Sequence, residues 1–367
     1  MILKNIDILN FKNIAEATLT FSAGVNCLLG MNGMGKSNLL EAIHFLSMVR
    51  PMSAMPESAL IRHGQDMLMV KGEFEADGGV AETIAGGITR GKGKSLKRNG
   101  KEYQRFSEHI GRFPVVTVTP ADSQLVSGPG EDRRKLMDMV ISQAHPEYLA
   151  SLIRYNRALE SRNRMLRAGV RDALLFESVE ASMEEAADVI FSTRKGWAEE
   201  IAPKVTECYA RLCGHREETG IAYSSQLAEA SLKEVLAERR AKDCALGYTS
   251  GGVHRDDLTT TLGGYSLRRL GSQGQVKTFT IALRLAIFDY LKANKGMTPI
   301  LLLDDIFDKL DASRVESIMN EVTGNDTFGQ IFITDTNRKH LDDILAGMHG
   351  DHMLLNVTDG KFSNCGA

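Results

Sequence analysis

The chain has 367 residues, of which 43% are hydrophobic and 25% are charged, and its formal net charge is −3. These values are typical of a globular protein with one or two domains. They exclude a strongly cationic chain, so any binding of nucleic acid would depend on a local basic patch. The five cysteines are scattered and odd in number, which argues against a disulfide framework.

The N-terminal part of the chain is rich in predicted strands. Residues 1–30 predict three strands, residues 68–105 a β-meander, and residues 115–118 a further buried strand. Within the meander, Asn99-Gly100 is a strong signal for a two-residue hairpin. No signal peptide precedes the first strand, and no apolar run approaches the about 18 residues that span a bilayer. We therefore expect a cytoplasmic protein that does not contact a membrane.

The middle of the chain has a different character. From about residue 131 to residue 245 it is rich in Ala, Leu, Glu and Arg, which indicates long helices. Strand and helix patterns then alternate to about residue 334, and such alternation implies a mostly parallel sheet. We predict three segments: an N-terminal ATPase part at 1–125, an inserted helical lobe at 126–250, and a C-terminal part at 251–367.

The motif with the most specific chemistry lies between the third predicted strand and the helix after it. It fits G-x-x-x-x-G-K-[ST] in full, and its residues are Gly30, Met31, Asn32, Gly33, Met34, Gly35, Lys36 and Ser37. In such a phosphate loop, backbone N–H groups point at the phosphates, the lysine reaches the β- and γ-phosphates, and the hydroxyl binds Mg²⁺. A second Gly-Lys-Ser at 93–95 lacks the upstream glycine and a following helix, so it is not a second loop.

An acidic pair ends the strand predicted at 299–304. Asp304 follows a run of aliphatic residues, where a carboxylate is placed to hold Mg²⁺ opposite Ser37, directly or through water. Asp305 is the candidate to polarise an attacking water. The alternative is that one of these aspartates only caps the next helix.

Three blocks of sequence then appear in order. They read GVHRDD at 252–257, GSQGQ at 271–275 and LDDIFDKLD at 303–311. Further matches are FKN at 11–13, PAD at 120–122, RR at 133–134, Tyr155 and RN at 162–163. Together these motifs resemble the RecF family of bacterial recombination and repair ATPases, and the resemblance covers essentially the whole chain.

The resemblance implies an α/β fold and a shared active site. The fold is that of a P-loop NTPase of the ABC/SMC-head type, with a mixed β-sheet lobe and an inserted helical lobe. ATP and Mg²⁺ are the implied cofactors, and two ATP molecules lie between the subunits of an ATP-dependent homodimer. The signature turn of that site consists of Ser272, Gln273, Gly274 and Gln275.

In that arrangement Ser272 and the backbone of Gly274 contact the γ-phosphate held by the partner, while Asp308 and Asp311 face the partner. The residue types agree, because a serine at a helix start favours an anion there. The spacing alone leaves open whether the anion belongs to the same subunit or to the other. The family also implies binding to junctions of single- and double-stranded DNA at gaps, with RecR and RecO as partners in recombinase loading.

The chain departs from the pattern of ABC ATPases at two points of the active site. Thr334-Asp335-Thr336 stands where a histidine commonly senses the γ-phosphate, and Asp305 is one methylene shorter than the usual glutamate. Both departures suggest slow hydrolysis, suited to a timer or clamp.

The GVHRDD block has Val253 where the family usually has proline, and we expect His254 to be a structural, hydrogen-bonded histidine.

Two basic segments are candidates for phosphate contacts with DNA, and a solvated surface is the alternative for each. The first consists of Arg90, Lys92, Lys94, Lys97, Arg98 and Lys101 near the predicted hairpin. The second consists of Arg154, Arg157, Arg162, Arg164, Arg167 and Arg171 in the helical lobe.

Two other functions remain open at this stage. The ATP-driving subunit of a transporter would place its phosphate loop much closer to the acidic strand and carry a Leu-Ser-Gly-Gly-Gln signature. A P-loop metabolic kinase would need a phosphoacceptor site and would lack the Ser-Gln-Gly-Gln turn. Dimerisation that depends on ATP would favour the RecF-like function over the kinase.

Overall fold

The computed structural model describes residues 1–53, 55–76, 78–214, 217–307, 310, 312–323, 328–346 and 351–364. Its contacts divide the chain into two compact units. Unit 1 contains Met1–Asp122, Arg211–Cys213 and Leu283–Ala367, and unit 2 contains Ser123–Ala210 and Gly214–Ala282. This division groups residues 251–282 with the helical unit; the three predicted segments themselves stay a prediction.

The strands, in chain order, are β1 (Ile2–Phe11), β2 (Ile14–Thr20), β3 (Val25–Leu29), β4 (Met67–Glu75), β5 (Ala81–Thr89), β6 (Gly93–Arg98), β7 (Lys101–Glu102), β8 (Val115–Val118), β9 (Thr219–Ser224), β10 (Asp257–Leu262), β11 (Tyr265–Ser266), β12 (Ile300–Asp304), β13 (Ile331–Asp335), β14 (His352–Thr358) and β15 (Lys361–Asn364).

The α-helices are α1 (Lys36–Met48), α2 (Gln124–Ser127), α3 (Gly130–Ala144), α4 (Pro146–Arg167), α5 (Ala173–Cys213), α6 (Leu232–Leu246), α7 (Leu267–Leu270), α8 (Gln273–Lys295), α9 (Ala312–Thr323) and α10 (Arg338–Ala346). Within the part of the chain that the structure describes, no helix combines the length and apolar character that a membrane span requires.

The core of unit 1 is a mostly parallel sheet with the strand order β15-β14-β3-β13-β12-β8. Strands β8, β12 and β13 are buried along their whole length, as expected for parallel strands covered on both faces. The register pairs Asp304 with Thr334 and Asp335 with Leu29. The carboxyl ends of these strands therefore meet at one edge of the sheet, where ligands bind in α/β folds.

Unit 1 also contains an antiparallel sheet with the strand order β2-β1-β4-β5-β6-β7. This confirms the predicted meander. Asn99 and Gly100 have φ angles of 49° and 79°, the left-handed pair that a type I′ turn needs, and they join β6 to β7.

Unit 2 combines helices α2 to α7 with a small antiparallel sheet in the order β11-β10-β9. Helix α6 begins with a capping box between Ser231 and Glu234. The expectation of helices throughout 131–245 missed β9, which runs antiparallel to β10 from Asp257↔Ser224 to Leu262↔Thr219. This pairing joins segments far apart in the sequence, so local composition does not reveal it.

The interior of unit 2 holds two buried arginines in a network of acidic and hydroxyl groups. Arg162 donates to Glu180, Asp243 and Thr249, and Arg194 donates to Asp138, Asp256 and Tyr148, all at 2.8–2.9 Å. Because removing one partner of a buried ion pair costs about 3–5 kcal/mol, these contacts fix how the helices of unit 2 pack.

Candidate functional site

The phosphate loop, residues 30–37, joins β3 to α1 in unit 1. Gly33 and Gly35 have φ angles of 81° and 112°, which favour glycine. A Cβ on Gly35 would lie 2.7 Å from Asn13 Oδ1, and one on Gly30 would lie 2.4 Å from the Val357 carbonyl oxygen. At these two positions the loop has room for backbone only, and a side chain at either one would distort it.

Lys36 lies in the first turn of α1 and is 6% exposed. Its ammonium donates to the carbonyls of Gly30 at 2.6 Å and Met31 at 3.0 Å, so the charge is held inside the curve of the loop. Burial lowers the pKa of Lys36, while the carboxylates of Asp305 and Asp304 act in the opposite direction. A phosphate in the loop would give this partly desolvated cation an anionic partner.

Ser37 lies beside the acidic end of β12. Ser37 Oγ donates to Asp304 Oδ1 at 2.7 Å, and Thr334 Oγ1 donates to the same oxygen at 2.7 Å. The Asp305 N–H in turn donates to Thr334 Oγ1 at 3.0 Å. Hydroxyl and carboxylate oxygens are the ligands that Mg²⁺ takes, so Ser37 and Asp304 fit a magnesium ion beside the loop.

Asp305 follows Asp304 with a φ angle of 47°, in the left-handed region that few residues other than glycine adopt. Its backbone N–H is held by Thr334 and its carboxylate influences Lys36. The chain is thus bent at the position where we expect the attacking water to be polarised. Backbone strain of this kind is often found at functional sites.

The end of β13 contacts a histidine, His340, that the sequence motifs do not mark. The carboxylate of Asp335 accepts the Asn337 N–H at 2.9 Å and lies 2.9 Å from His340 Nδ1. His340 is on α10, five residues beyond Asp335 in the Thr334-Asp335-Thr336 segment that replaces the usual histidine. The histidine was visible in the sequence, but only the fold shows its contact with Asp335.

Two turns from distant parts of unit 1 support the phosphate loop. The Asn13 amide donates to the Gly33 carbonyl at 3.3 Å and accepts from Asn38 at 2.7 Å. The Gly360 N–H, in the turn between β14 and β15, donates to the Met34 carbonyl at 2.8 Å. The FKN block was therefore a usable signal for loop support, whereas the Gly360 turn was not recognised.

The signature turn, Ser272–Gln275, opens α8 in unit 2. The Ser272 N–H donates to Gln275 Oε1 at 2.8 Å, and the Gln275 N–H donates to Ser272 Oγ at 3.2 Å. Ser272 and Gln273 are exposed. This reciprocal cap presents a helix N-terminus to solvent, which favours an anion there.

His254 is a half-buried, hydrogen-bonded residue, as expected. Its Nε2 donates to the Thr249 carbonyl at 3.1 Å, so its Nδ1 accepts from Tyr155 Oη at 2.8 Å. Burial lowers the pKa of His254 to about 4, which keeps it neutral. Asp308 and Asp311, which were expected to face a partner, lie outside the described residues.

The two predicted basic segments are only partly exposed. In the hairpin, Arg98 pairs with Glu82 and Lys94 pairs with Glu57. In the helical lobe, Arg162 is fully buried, so its prediction as a surface phosphate contact was wrong. The exposed candidates are Arg90, Lys92, Lys97 and Lys101 in the hairpin, and Arg154, Arg157, Arg164, Arg167 and Arg171 in the helical lobe.

Comparisons with known proteins agree with this fold. The sequence matches the model of the RecF/RecN/SMC N terminal domain family over residues 2–349. It is 48% identical over 361 residues to the DNA replication and repair protein RecF of Parabacteroides distasonis, with 98% of each chain covered. The RecF of Bacteroides thetaiotaomicron is 47% identical over 368 residues, with 100% of each chain covered. The chain therefore belongs to the RecF family of DNA replication and repair proteins.

Solved structures give the same result. The recombination mediator protein RecF-ATP of the RecFOR pathway has a TM-score of 0.89 and 28% identity, covering 100% of this chain and 98% of that one. The Smc head domain of Pyrococcus furiosus has a TM-score of 0.57 at 18% identity and 99% coverage of this chain, 95% of its own, which shows the shared fold. The predicted family and fold class are confirmed.

Proposed function

We propose that this chain binds ATP with Mg²⁺ at the phosphate loop of unit 1. Lys36 neutralises the β- and γ-phosphates, backbone N–H groups of residues 30–37 donate to phosphate oxygens, and Ser37 and Asp304 hold the metal. The observation that carries the proposal is the 2.7 Å hydrogen bond from Ser37 to Asp304, beside the enclosed Lys36 ammonium. The similarity to a structure named RecF-ATP supports the choice of nucleotide.

The proposed ATP complex pairs with a second copy through the signature turn. In the turn Ser272–Gln275, the Ser272 hydroxyl and the backbone of Gly274 would contact the γ-phosphate held by the partner, using neutral donors and the positive end of α8. Two large apolar side chains next to these motifs, Met31 and Leu270, are each 71% exposed, as expected for surfaces that a partner covers.

Hydrolysis in this proposal is slow and serves as a timer. Mg²⁺ would neutralise developing charge on the phosphates, and Asp305 would orient and polarise the attacking water. The shorter aspartate, and the replacement of the usual histidine by Thr334-Asp335-Thr336, both reduce contacts to that water and to the γ-phosphate. A turnover comparable to that of a fast motor would contradict this part of the proposal.

The proposed role is in cytoplasmic recombinational repair and replication, at gaps in DNA. The relatives are named for DNA replication and repair, and one structure is titled as a recombination mediator of the RecFOR pathway. These names favour DNA, RecR and RecO as partners over the transporter and kinase alternatives. Pairing would bring two copies of each exposed basic segment into one assembly, whose formal net charge is twice −3, so DNA contacts would depend on these local patches.

The direct test measures association and DNA binding in the same solutions. Light scattering should give a monomer without nucleotide and a dimer with ATP and Mg²⁺. Gapped DNA should then bind more tightly with ATP than without it, and its affinity should fall steeply as salt rises. A mass that does not change with ATP would contradict the proposed pairing, and equal affinity with and without ATP would contradict the proposed switch.

The hairpin contribution is tested by replacing Lys92, Lys97 and Lys101 with glutamate. All three are exposed, so folding should be unaffected while DNA affinity falls and its salt dependence weakens. A parallel variant replaces Arg157, Arg164 and Arg167 of the helical lobe in the same way and tests the second candidate segment. Unchanged DNA binding in the hairpin variant would assign the DNA surface elsewhere.

A further inference from the structure

Gln275, the last residue of the signature turn, is held from both ends of its side-chain amide. Its Oε1 accepts the Ser272 N–H at 2.8 Å, and its Nε2 donates to Glu217 Oε1 at 2.6 Å. The other oxygen of Glu217 accepts from Tyr209 Oη at 2.6 Å. Tyr209 is fully buried on α5, so the chain of contacts begins at a fixed point.

The chemistry of Glu217 decides which way the amide points. An ionised carboxylate only accepts hydrogen bonds, so the nitrogen of Gln275 must face Glu217 and its oxygen must face the Ser272 N–H. The Gln275 N–H meanwhile donates to Ser272 Oγ at 3.2 Å. The Ser272 hydroxyl oxygen accepts this hydrogen bond, so the hydroxyl can still donate its hydrogen to another group.

We propose that Glu217 is a positioning residue for the signature turn: through Gln275 it orients Ser272 so that the hydroxyl donates outward to a phosphate. The inference rests on the proposed function, because the phosphate in question is the one that a second copy brings. Glu217 itself precedes β9 and touches no phosphate in this arrangement. Its role is to fix a neutral donor before the two copies meet, so that less freedom is lost on association.

The test changes which residue donates and which accepts in the contact between Gln275 and Glu217. Gln275→Glu keeps an acceptor for the Ser272 N–H but places a second carboxylate against Glu217, and like charges at this distance repel. We expect ATP-induced dimerisation to weaken by about tenfold, the range measured for residues in contact. The double variant Glu217→Gln/Gln275→Glu restores a donor opposite an acceptor and should return to within about threefold of the original chain.

The matched control is Glu218→Gln. Glu218 is the exposed neighbour of Glu217, and its substitution removes the same charge without touching Gln275. Combined with Gln275→Glu, it should give no rescue. A second variant, Tyr209→Phe, keeps the buried ring but removes the hydroxyl that fixes Glu217, and we expect a smaller loss of dimerisation from it.

Binding of a fluorescent ATP analogue to the monomer and the unfolding temperature are measured in parallel. Both should stay near the original values in the double variant, and ATP binding should stay unchanged in all variants because the phosphate loop belongs to unit 1. If Gln275→Glu fails to fold, rescue of the unfolding temperature by Glu217→Gln but not by Glu218→Gln tests the contact.

Three results would decide against the inference. A Gln275→Glu variant that dimerises normally would overturn it, as would a double variant no better than the single one. Equal rescue by Glu218→Gln would show that the change in net charge alone causes the rescue, and it would also overturn the inference. An original chain that stays monomeric with ATP would instead overturn the proposed function, and the inference with it.

Discussion

The phosphate loop of unit 1 and the signature turn of unit 2 are both helix N-termini suited to an anion, but they differ in the charge and the burial of their residues. The loop encloses a charged lysine and adjoins Asp304 and Asp305, which other strands of unit 1 bring to it. The turn has no charged residue among Ser272–Gln275, and its first two side chains are exposed. One region can bind a metal nucleotide by itself, whereas the other offers only neutral donors to a phosphate already bound. This difference fits the proposed site shared between two copies.

The largest expected effect comes from removing the charge of the loop. Lys36→Met should weaken ATP binding by at least about 100-fold, because a desolvated ammonium aimed at the phosphates is lost. Isothermal titration with ATP and Mg²⁺ measures this directly. Lys94→Met, in the Gly-Lys-Ser segment at 93–95 that is not a phosphate loop, should bind ATP normally. Equal affinity in the two variants would break the distinction between the real loop and its look-alike.

A second test separates ATP binding from hydrolysis. Asp305→Asn should keep ATP affinity and accumulate the dimer, while turnover falls by about 100-fold, a typical loss for a missing general base. Asp359→Asn is the matched control, since Asp359 also has a left-handed φ, of 50°, but lies in the β14–β15 turn. Phosphate release and light scattering are read together. A monomeric Asp305→Asn variant that still binds ATP would contradict the role of Asp305 as base.

The smallest expected effect is a loss of folding stability on acidification, and we expect it in both units. Burial lowers the pKa of His109 in unit 1 to about 4 and that of His254 in unit 2 to about 4, from 6.5. Since the unfolded chain takes up protons that the folded chain refuses, stability is intact above pH 6.5 and falls between about 6.5 and 4. Each histidine contributes about 1.4 kcal/mol per pH unit in that window.

His109→Gln and His254→Gln each remove one titrating group and keep a donor for the carbonyl that Nε2 binds. Urea unfolding at pH 7 and pH 5 should therefore show a smaller loss of stability on acidification in each variant than in the original chain. An unchanged difference between the two pH values would show that the histidine is charged in the folded state as it is in the unfolded one.

The same two regions show what the sequence could predict. The loop, Asp304 and the signature turn were recognised because each motif is a short run beside a strand or helix with a clear pattern. Glu217 and His340 were missed because their importance depends on contacts: Glu217 reaches Gln275 58 positions away, and no sequence motif marks the contact of His340 with Asp335, five positions before it. Arg162 was misplaced on the surface for the same reason, since its partner Asp243 is 81 positions away.

The division of the site between two copies is tested most directly by mixing two defective variants. Lys36→Met keeps its signature turn but cannot hold ATP, and Ser272→Arg holds ATP but blocks the turn with a bulky cation. Neither should dimerise alone. With a slowly hydrolysed ATP analogue, the mixture should form a heterodimer, because the loop of the Ser272→Arg chain faces the intact turn of the Lys36→Met chain. Fluorescence transfer between differently labelled chains measures it. No transfer in the mixture, under conditions where the original chain dimerises, would contradict a site shared between two copies.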